Sequence, residues 1–186
     1  FFSTGMSNLA EIETALGVLA YGFTTPASTT EQHGDFEQSF ASEAGQESLR
    51  DRVTLLHCTS EYPAPFGEVN LLAMDTMATA FGLPVGYSDH TPGIHVSLAA
   101  VARGARVIEK HFTLDHNLPG PDQWFSTMPD EFAQLVKEVP DPETCLGQAE
   151  IVSSSAESET RIEFRLSAVA VRDLAAGTEL QSSDTV

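Results

Sequence analysis

After residue 50 the chain alternates between short apolar β-branched runs and longer segments with helical spacing, and this rhythm restricts the fold more than any other feature. VTLLHCTS (53–60) reads as a buried strand, LPVGYS (83–88) as a second and RVIEKHFTL (106–114) as a third. Between them, VNLLAMDTMATAFG (69–82) has helical spacing at Leu71, Leu72, Met74, Met77, Ala78 and Phe81, with Gly82 as its stop. GIHVSLAAVARGA (93–105) reads as a helix ending at Gly104, and PDEFAQLVKEV (129–139) as one started by proline. Upstream, SNLAEIETALGVLAYG (7–22) is a further helix, capped by Ser7 or Asn8, with Glu11 and Glu13 near its positive end. FFSTGM, before it, reads as the tail of a strand.

Strand–helix units repeated every ~20–30 residues build a parallel α/β sheet. Four such units are expected here, and a closed (β/α)8 barrel needs eight. The expected fold is therefore α/β: about half a TIM barrel, or a small open sheet. Two segments break the rhythm. Residues 24–50 are polar and acidic and read as an inserted loop with room for a short helix. Residues 140–164 read as a linker. After it, RLSAVAVRDLAAGTEL (165–180) alternates and then turns at Ala175–Thr178, as the first strands of a separate β-rich domain would. The barrel part is thus placed at 1–139. The apolar opening without methionine and the close on LQSSDTV read as cut ends.

Charge narrows the partners. Acids number 27 against 9 bases, for a net charge of −18, which argues against nucleic acid and against anionic membrane surfaces. An acid-coated surface of this kind suits high salt. No apolar run approaches the ~18 residues of a spanning helix, and no signal peptide is visible. Two cysteines, Cys58 and Cys145, form no disulfide framework and suit a reducing cytoplasmic setting.

Side-chain parity picks out candidate chemistry. Residues i and i+2 of a strand share a face, and three strands end in polar pairs at that spacing: Ser60/Tyr62, Ser88/His90 and Glu109/His111. Ligands of parallel α/β folds bind at the carboxyl ends of strands. His90 and His111 lie one βα unit apart and so fall on neighbouring strands, ~4.8 Å apart. Two readings stay open: a pair of hydrogen-bonded core histidines, or two ligands of a divalent metal open to a carbonyl substrate. His57 has the opposite parity and reads as structural. His95 falls in a helix, His33 in the 24–50 segment and His116 in the loop after the last strand; none is assigned to the site. Lys110, between Glu109 and His111, points to the opposite face. Asp122 sits in the stiff loop NLPGPDQWFS, where it could position a substrate, with Trp124 and Phe125 beside it.

STGM (3–6), LLHCTSEYPAPFGEVNL (55–71), VGYSDHTPGI (85–94), VIEKHFTLDHNLPGPD (107–122) and the FS-x-x-PDEF stretch (125–132) together resemble the sialic acid synthase family. That family includes legionaminic and pseudaminic acid synthases and enzymes of spore-coat polysaccharide synthesis. The resemblance implies that this chain carries strands 5–8 of a (β/α)8 barrel, followed by the start of an antifreeze-like (SAF) domain at 165–186. It also implies a homodimer, usually domain-swapped. The implied reaction joins phosphoenolpyruvate to the open aldehyde of an N-acylated amino sugar of the N-acetylmannosamine type, assisted by Mn²⁺ or Mg²⁺. Position by position, His90 and His111 match the family's metal ligands, and Ser3 and Ser88 match residues that hold phosphoenolpyruvate. Tyr62 lies between the substrates, while Glu109 and Asp122 match contacts to sugar hydroxyls. Ser60 stands where some members carry asparagine. By this resemblance Glu109 and Tyr62 are the catalytic candidates, Glu109 orienting the aldehyde or shuttling a proton. The other expectations are a non-catalytic metal- or sugar-binding remnant, half of a split barrel, or a different metal-dependent barrel aldolase or isomerase.

Overall fold

The four expected strands form one parallel sheet in sequence order. The computed structural model describes residues 1–27, 29, 30, 32 and 34–186, in two compact units, 1–147 and 148–186. In the first unit β1 (Phe2–Ser3) pairs with β2 (Leu55–Cys58), β2 with β3 (Val85–Asp89), and β3 with β4 (Ile108–Lys110). The register sets Cys58 beside Ser88 and Ser88 beside Glu109. Each strand is shorter than its apolar run suggests, because only the paired middle of each run meets a neighbour. This is a half-barrel sheet. Helices α1 (Leu9–Thr24), α4 (Ala73–Phe81), α5 (His95–Ala102) and α6 (Pro129–Glu138) follow the strands in turn.

Local chemistry explains the helix limits. Asn8 caps α1 by accepting from the backbone of Ala10 and Glu11, while Glu11 reaches back to the Asn8 amide, completing a capping box. Gly82 ends α4 in the left-handed region at φ 63°, where a side chain would be strained. Ile12, Leu16 and Ala20 of α1 join Met74, Met77 and Phe81 of α4 around Leu55, Val85 and Tyr87 of the sheet, and these residues are the core. Leu72 and Ala78, expected on the apolar face of that helix, are exposed instead. The helix starts at Ala73, so Leu72 lies in the turn before it, and the buried stripe is the narrower Met74, Met77, Phe81.

Two expectations change. Residues 24–50 are not simply a loop: α2 (Asp35–Ala41) and α3 (Glu43–Arg52) occupy the second half and pack on α1. Ser42 caps α3, and Leu49 is fully buried against the core. The acids that made the stretch look loop-like lie on the outer faces of these helices. His33 lies outside the described residues. The stretch 140–164 is not an unstructured linker either. Helix α7 (Pro140–Leu146) packs on α5 in the first unit, and the second unit begins after Gly147 with α8 (Ser158–Phe164). In that second unit the expected turn forms at Ala175–Thr178, with Gly177 at φ 87°. The alternating segment around it makes a single antiparallel bridge, Ala170 to Thr185, rather than a full ladder.

Candidate functional site at the carboxyl ends of the strands

β3 ends in an unusual run of buried polar residues, Ser88, Asp89, His90 and Thr91. A buried polar group needs a partner, and the partners found here divide the run between two faces. Even-numbered Ser88 and His90 face the concave side with Glu109 and His111; odd-numbered Asp89 turns to the helix layer.

On the concave side the Ser88 hydroxyl donates to Glu109 Oε1 at 2.6 Å. Just beyond the strand ends, the His90 and His111 rings meet edge to face, with centroids 5.1 Å apart and planes at 88°. Tyr62 lies over both, 4.3 Å from His90 and 5.6 Å from His111. It reaches them from a loop rather than from β2, which ends at Cys58, so strand parity alone does not place Ser60 and Tyr62. The Ala64 amide donates to the His90 carbonyl at 2.9 Å and ties that loop to β3. His111 is backed by Phe125 at 5.2 Å. Its Nδ1 lies 3.8 Å from Asp122.

The Asp122 loop is pinned at several points. Thr127 donates its amide to the His111 carbonyl at 2.8 Å, and Ser126 Oγ donates to the Asp122 carbonyl at 2.6 Å. His116 Nε2 donates to the Ser126 carbonyl at 2.9 Å, which gives that residue a structural task. Trp124 packs on Phe125 and stays exposed. Ser60 enters from the other side. A Cβ on Gly5 would fall 2.2 Å from Ser60 Oγ and 3.1 Å from Cys58 Sγ, so only glycine lets the STGM turn lie this close.

His90 Nδ1 donates to the Thr59 carbonyl at 2.8 Å. That bond fixes the neutral ring as the Nδ1–H tautomer and leaves the Nε2 lone pair toward Ser88 and the open side. Burial works against the charged ring, but hydrogen bonds to Cys58 and the Thr59 carbonyl outweigh it and hold the His90 pKa above the ordinary imidazole value. His111 goes the other way: burial and then the neighbouring His90 lower its pKa. Cys58, which the sequence reading left unassigned, contacts this group with Sγ 3.8 Å from both His90 Nδ1 and Ser60 Oγ. Burial raises its thiol pKa, yet hydrogen bonds to His90, Ser3 and Ser60 bring it below the usual thiol value.

The opposite face of the same strand ends holds a salt bridge that parity hinted at only through Lys110. Asp89 accepts from Thr91 N at 2.8 Å, Thr91 Oγ1 at 2.7 Å, Ser97 Oγ at 2.5 Å and Lys110 Nζ at 3.0 Å. Lys110 also donates to the Thr91 carbonyl at 2.7 Å, and both side chains are almost fully buried. Asp89 lies between two site residues in the chain but belongs to this second group, and the sequence reading gave it no task. His57, opposite in parity to the site, donates to the Val69 carbonyl at 2.6 Å and is structural.

A pair of imidazoles with one oriented nitrogen, next to two carboxylates, suits a divalent cation whose remaining positions go to water or substrate. Among the described residues no three His, Cys, Asp or Glu side chains gather into a closed ligand set. The chain would therefore offer a cation two imidazoles and an open face.

Fold and rim together define the class: a parallel βα half-barrel with its polar side chains gathered at the carboxyl ends of the strands. The sequence profile of the NeuB family matches residues 1–151, and the chain belongs to that family. It is 46% identical over 175 residues to the N,N'-diacetyllegionaminic acid synthase of Campylobacter jejuni, covering 94% of this chain and 45% of that protein. The corresponding synthase of Legionella pneumophila is 50% identical over 139 residues, covering 75% of this chain and 39% of that protein. Among solved structures, the N-acetylneuraminic acid synthetase of Leptospira borgpetersenii in complex with citrate superposes with a TM-score of 0.60 at 32% identity. It covers 88% of this chain and 56% of the other. The chain thus spans about half the length of the relatives it matches.

Proposed function

We propose that this chain carries the metal- and sugar-binding face of a nonulosonic acid synthase. The overall reaction would condense phosphoenolpyruvate with the aldehyde of an N-acylated amino sugar. A carbon–carbon bond forms between the phosphoenolpyruvate methylene and the aldehyde carbon; water adds to the former enol carbon, and phosphate leaves by C–O cleavage. The observation that carries this reading is the perpendicular His90–His111 pair under Tyr62, beside the Ser88–Glu109 hydrogen bond, in a chain 46% identical to a legionaminic acid synthase.

The residues then divide by reach. His90 and His111 would hold the divalent cation, Mn²⁺ or Mg²⁺, with water or substrate oxygens at its other positions. A cation held there supplies Lewis-acid polarisation of a carbonyl oxygen. Glu109, exposed apart from its bond to Ser88, orients the sugar or moves a proton at the aldehyde oxygen. Asp122 meets sugar hydroxyls from its pinned loop, and Tyr62 separates the two substrates. Ser3, Ser60 and Ser88 supply hydroxyls to phosphate and carboxylate oxygens. Phosphoenolpyruvate brings about three negative charges, yet Lys110 is committed to Asp89. The 186-residue chain is therefore expected to bind and not to turn over at a normal rate. We further propose that it works in the cytoplasm within a homodimer, with residues 165–186 opening an SAF domain.

Calorimetric titration of the chain with Mn²⁺ tests this. One site per chain is expected, lost in both His90→Ala and His111→Ala. Undiminished binding in both variants would overturn the metal pair. Relaxation enhancement of the protons of N-acetylmannosamine by bound Mn²⁺, strongest at the aldehyde end, is the expected sugar signal; no enhancement would overturn the sugar assignment.

A further inference from the structure

The amino ends of β3 and β4, the face away from the histidines, hold a cavity of about 490 Å³. Gly82, Leu83, Pro84 and Val85 line it at the start of β3, and Gly104 and Arg106 just before β4. Five residues of β3 separate it from the carboxyl rim, roughly 16 Å at the rise of a strand. Its volume is in the range of small-molecule sites. Barrel stability asks only for packing at this face, and packing alone does not call for the charge found here.

Arg50, Arg103 and Arg106 line it, three of the nine basic residues of a chain with net charge −18. They arrive from separate elements: the last turn of α3, the cap of α5 and the approach to β4. Arg103 is bonded to Asp75. The Arg50 and Arg106 side chains have no hydrogen-bond or ion-pair partner among the described residues. The cavity lining also includes a carboxylate, Asp75, which is the partner of Arg103. Screening at physiological ionic strength acts over about 8 Å, so an anion beside Arg50 and Arg106 responds to them more than to acids elsewhere on the surface. The cavity floor is apolar, built from Met74, Ala78 and Leu83.

We propose that this cavity binds an organic phosphate: an anionic phosphoryl group held by Arg50 and Arg106, attached to an apolar body resting on Met74 and Leu83. Guanidinium forks match phosphoryl oxygens two at a time, which is why a phosphate fits better than a lone carboxylate. The site is distinct from the histidine rim and would be a place for an effector rather than for a reacting substrate. A lesser task is available to the arginines. α3, α4 and α5 all end near this face, and cations offset the partial negative charge of helix C-termini. That task explains charge without a ligand, so the experiment must separate the two.

The test is calorimetric titration of the full 186-residue chain with pyrophosphate and with adenosine diphosphate at low salt. Both are expected to bind, the nucleotide more tightly because its base covers the apolar floor. Arg50→Gln with Arg106→Gln should weaken both by roughly tenfold or more, while His90→Ala leaves them unchanged. Ala78→Glu, a like charge placed on an exposed helix position of the floor, should weaken binding independently of any arginine. Thermal unfolding run in parallel checks that each variant folds. Binding unchanged in the arginine and Ala78 variants, or lost instead in His90→Ala, overturns the proposal. So does absence of binding, or a lowered Tm in the arginine variants with unaltered affinity.

Discussion

Replacing Lys110 with methionine isolates the buried ion pair behind the two histidines. Methionine keeps most of the apolar stem and removes the charge. In the native chain Lys110 Nζ lies 3.0 Å from Asp89 Oδ2, with both side chains buried. At an effective dielectric of 20, two charges at that separation attract by about 5–6 kcal/mol before desolvation is counted. Removing the lysine forfeits that attraction and recovers only its own desolvation cost. Asp89 keeps three donors, from Thr91 N, Thr91 Oγ1 and Ser97 Oγ, so its carboxylate is not left wholly bare. The expected loss is about 3 kcal/mol, at the lower end of the ~3–5 kcal/mol typical of breaking one side of a buried pair. Adding Asp89→Asn to Lys110→Met removes the stranded charge as well and should restore more than half of the loss. Trp124 is the single tryptophan and lies in the first unit, so its fluorescence in a urea titration reports this unit alone. A Lys110→Met chain within about 1 kcal/mol of wild type, or a double variant no more stable than the single one, would refute the reasoning.

Leu49→Ala should cost about 2–5 kcal/mol by the same assay, since Leu49 is fully buried; a change under about 1 kcal/mol would mean that α3 is only an appendage. Gly86→Ala should destabilise severely, because a Cβ there meets the Val107 carbonyl oxygen at 2.5 Å and Leu56 Cδ2 at 2.7 Å; native-like urea midpoints would contradict it. Mn²⁺ affinity should fall as pH is lowered, because protons compete for the imidazoles. The decline begins above the ordinary imidazole pKa, where the raised His90 first takes up a proton, and steepens only below it, where the lowered His111 follows. Calorimetry across pH 5–8 checks this, and a flat profile would count against imidazole ligation.

How much of this was legible in the sequence depends on whether a residue's task is local. Strand parity brought His90 and His111 together, along with Ser88 and Glu109, because parallel register carries a two-residue period from one strand to the next. Tyr62 and Ser60 lie past the end of β2, where no period applies, and the Tyr62 position depends on a loop tied back to the His90 carbonyl. The helices at 35–52 were hidden by their composition: α3 has one large apolar side chain facing inward, Leu49, among acids and arginines, so its periodicity is faint although its burial is complete.

Asp89 is the most instructive omission. Its neighbours at 88 and 90 marked the strand end as a site, and the acid between them was given no task. Parity assigns it to the other face, where an unpaired carboxylate would be costly. Lys110 has the same parity one strand over, at the register partner of Asp89. Applied to both faces of the strand ends, the rule that selected the two histidines therefore also selects a charge pair behind them. The two pairs are mechanically linked, since each histidine follows a member of the ion pair in the chain. A cation held by His90 and His111 needs their rings kept at one separation, and the Asp89–Lys110 bond fixes the backbone on which both rings are carried. Lys110→Met should accordingly weaken Mn²⁺ binding even in chains that remain fully folded, and unchanged affinity in such chains would confine the ion pair to stability alone.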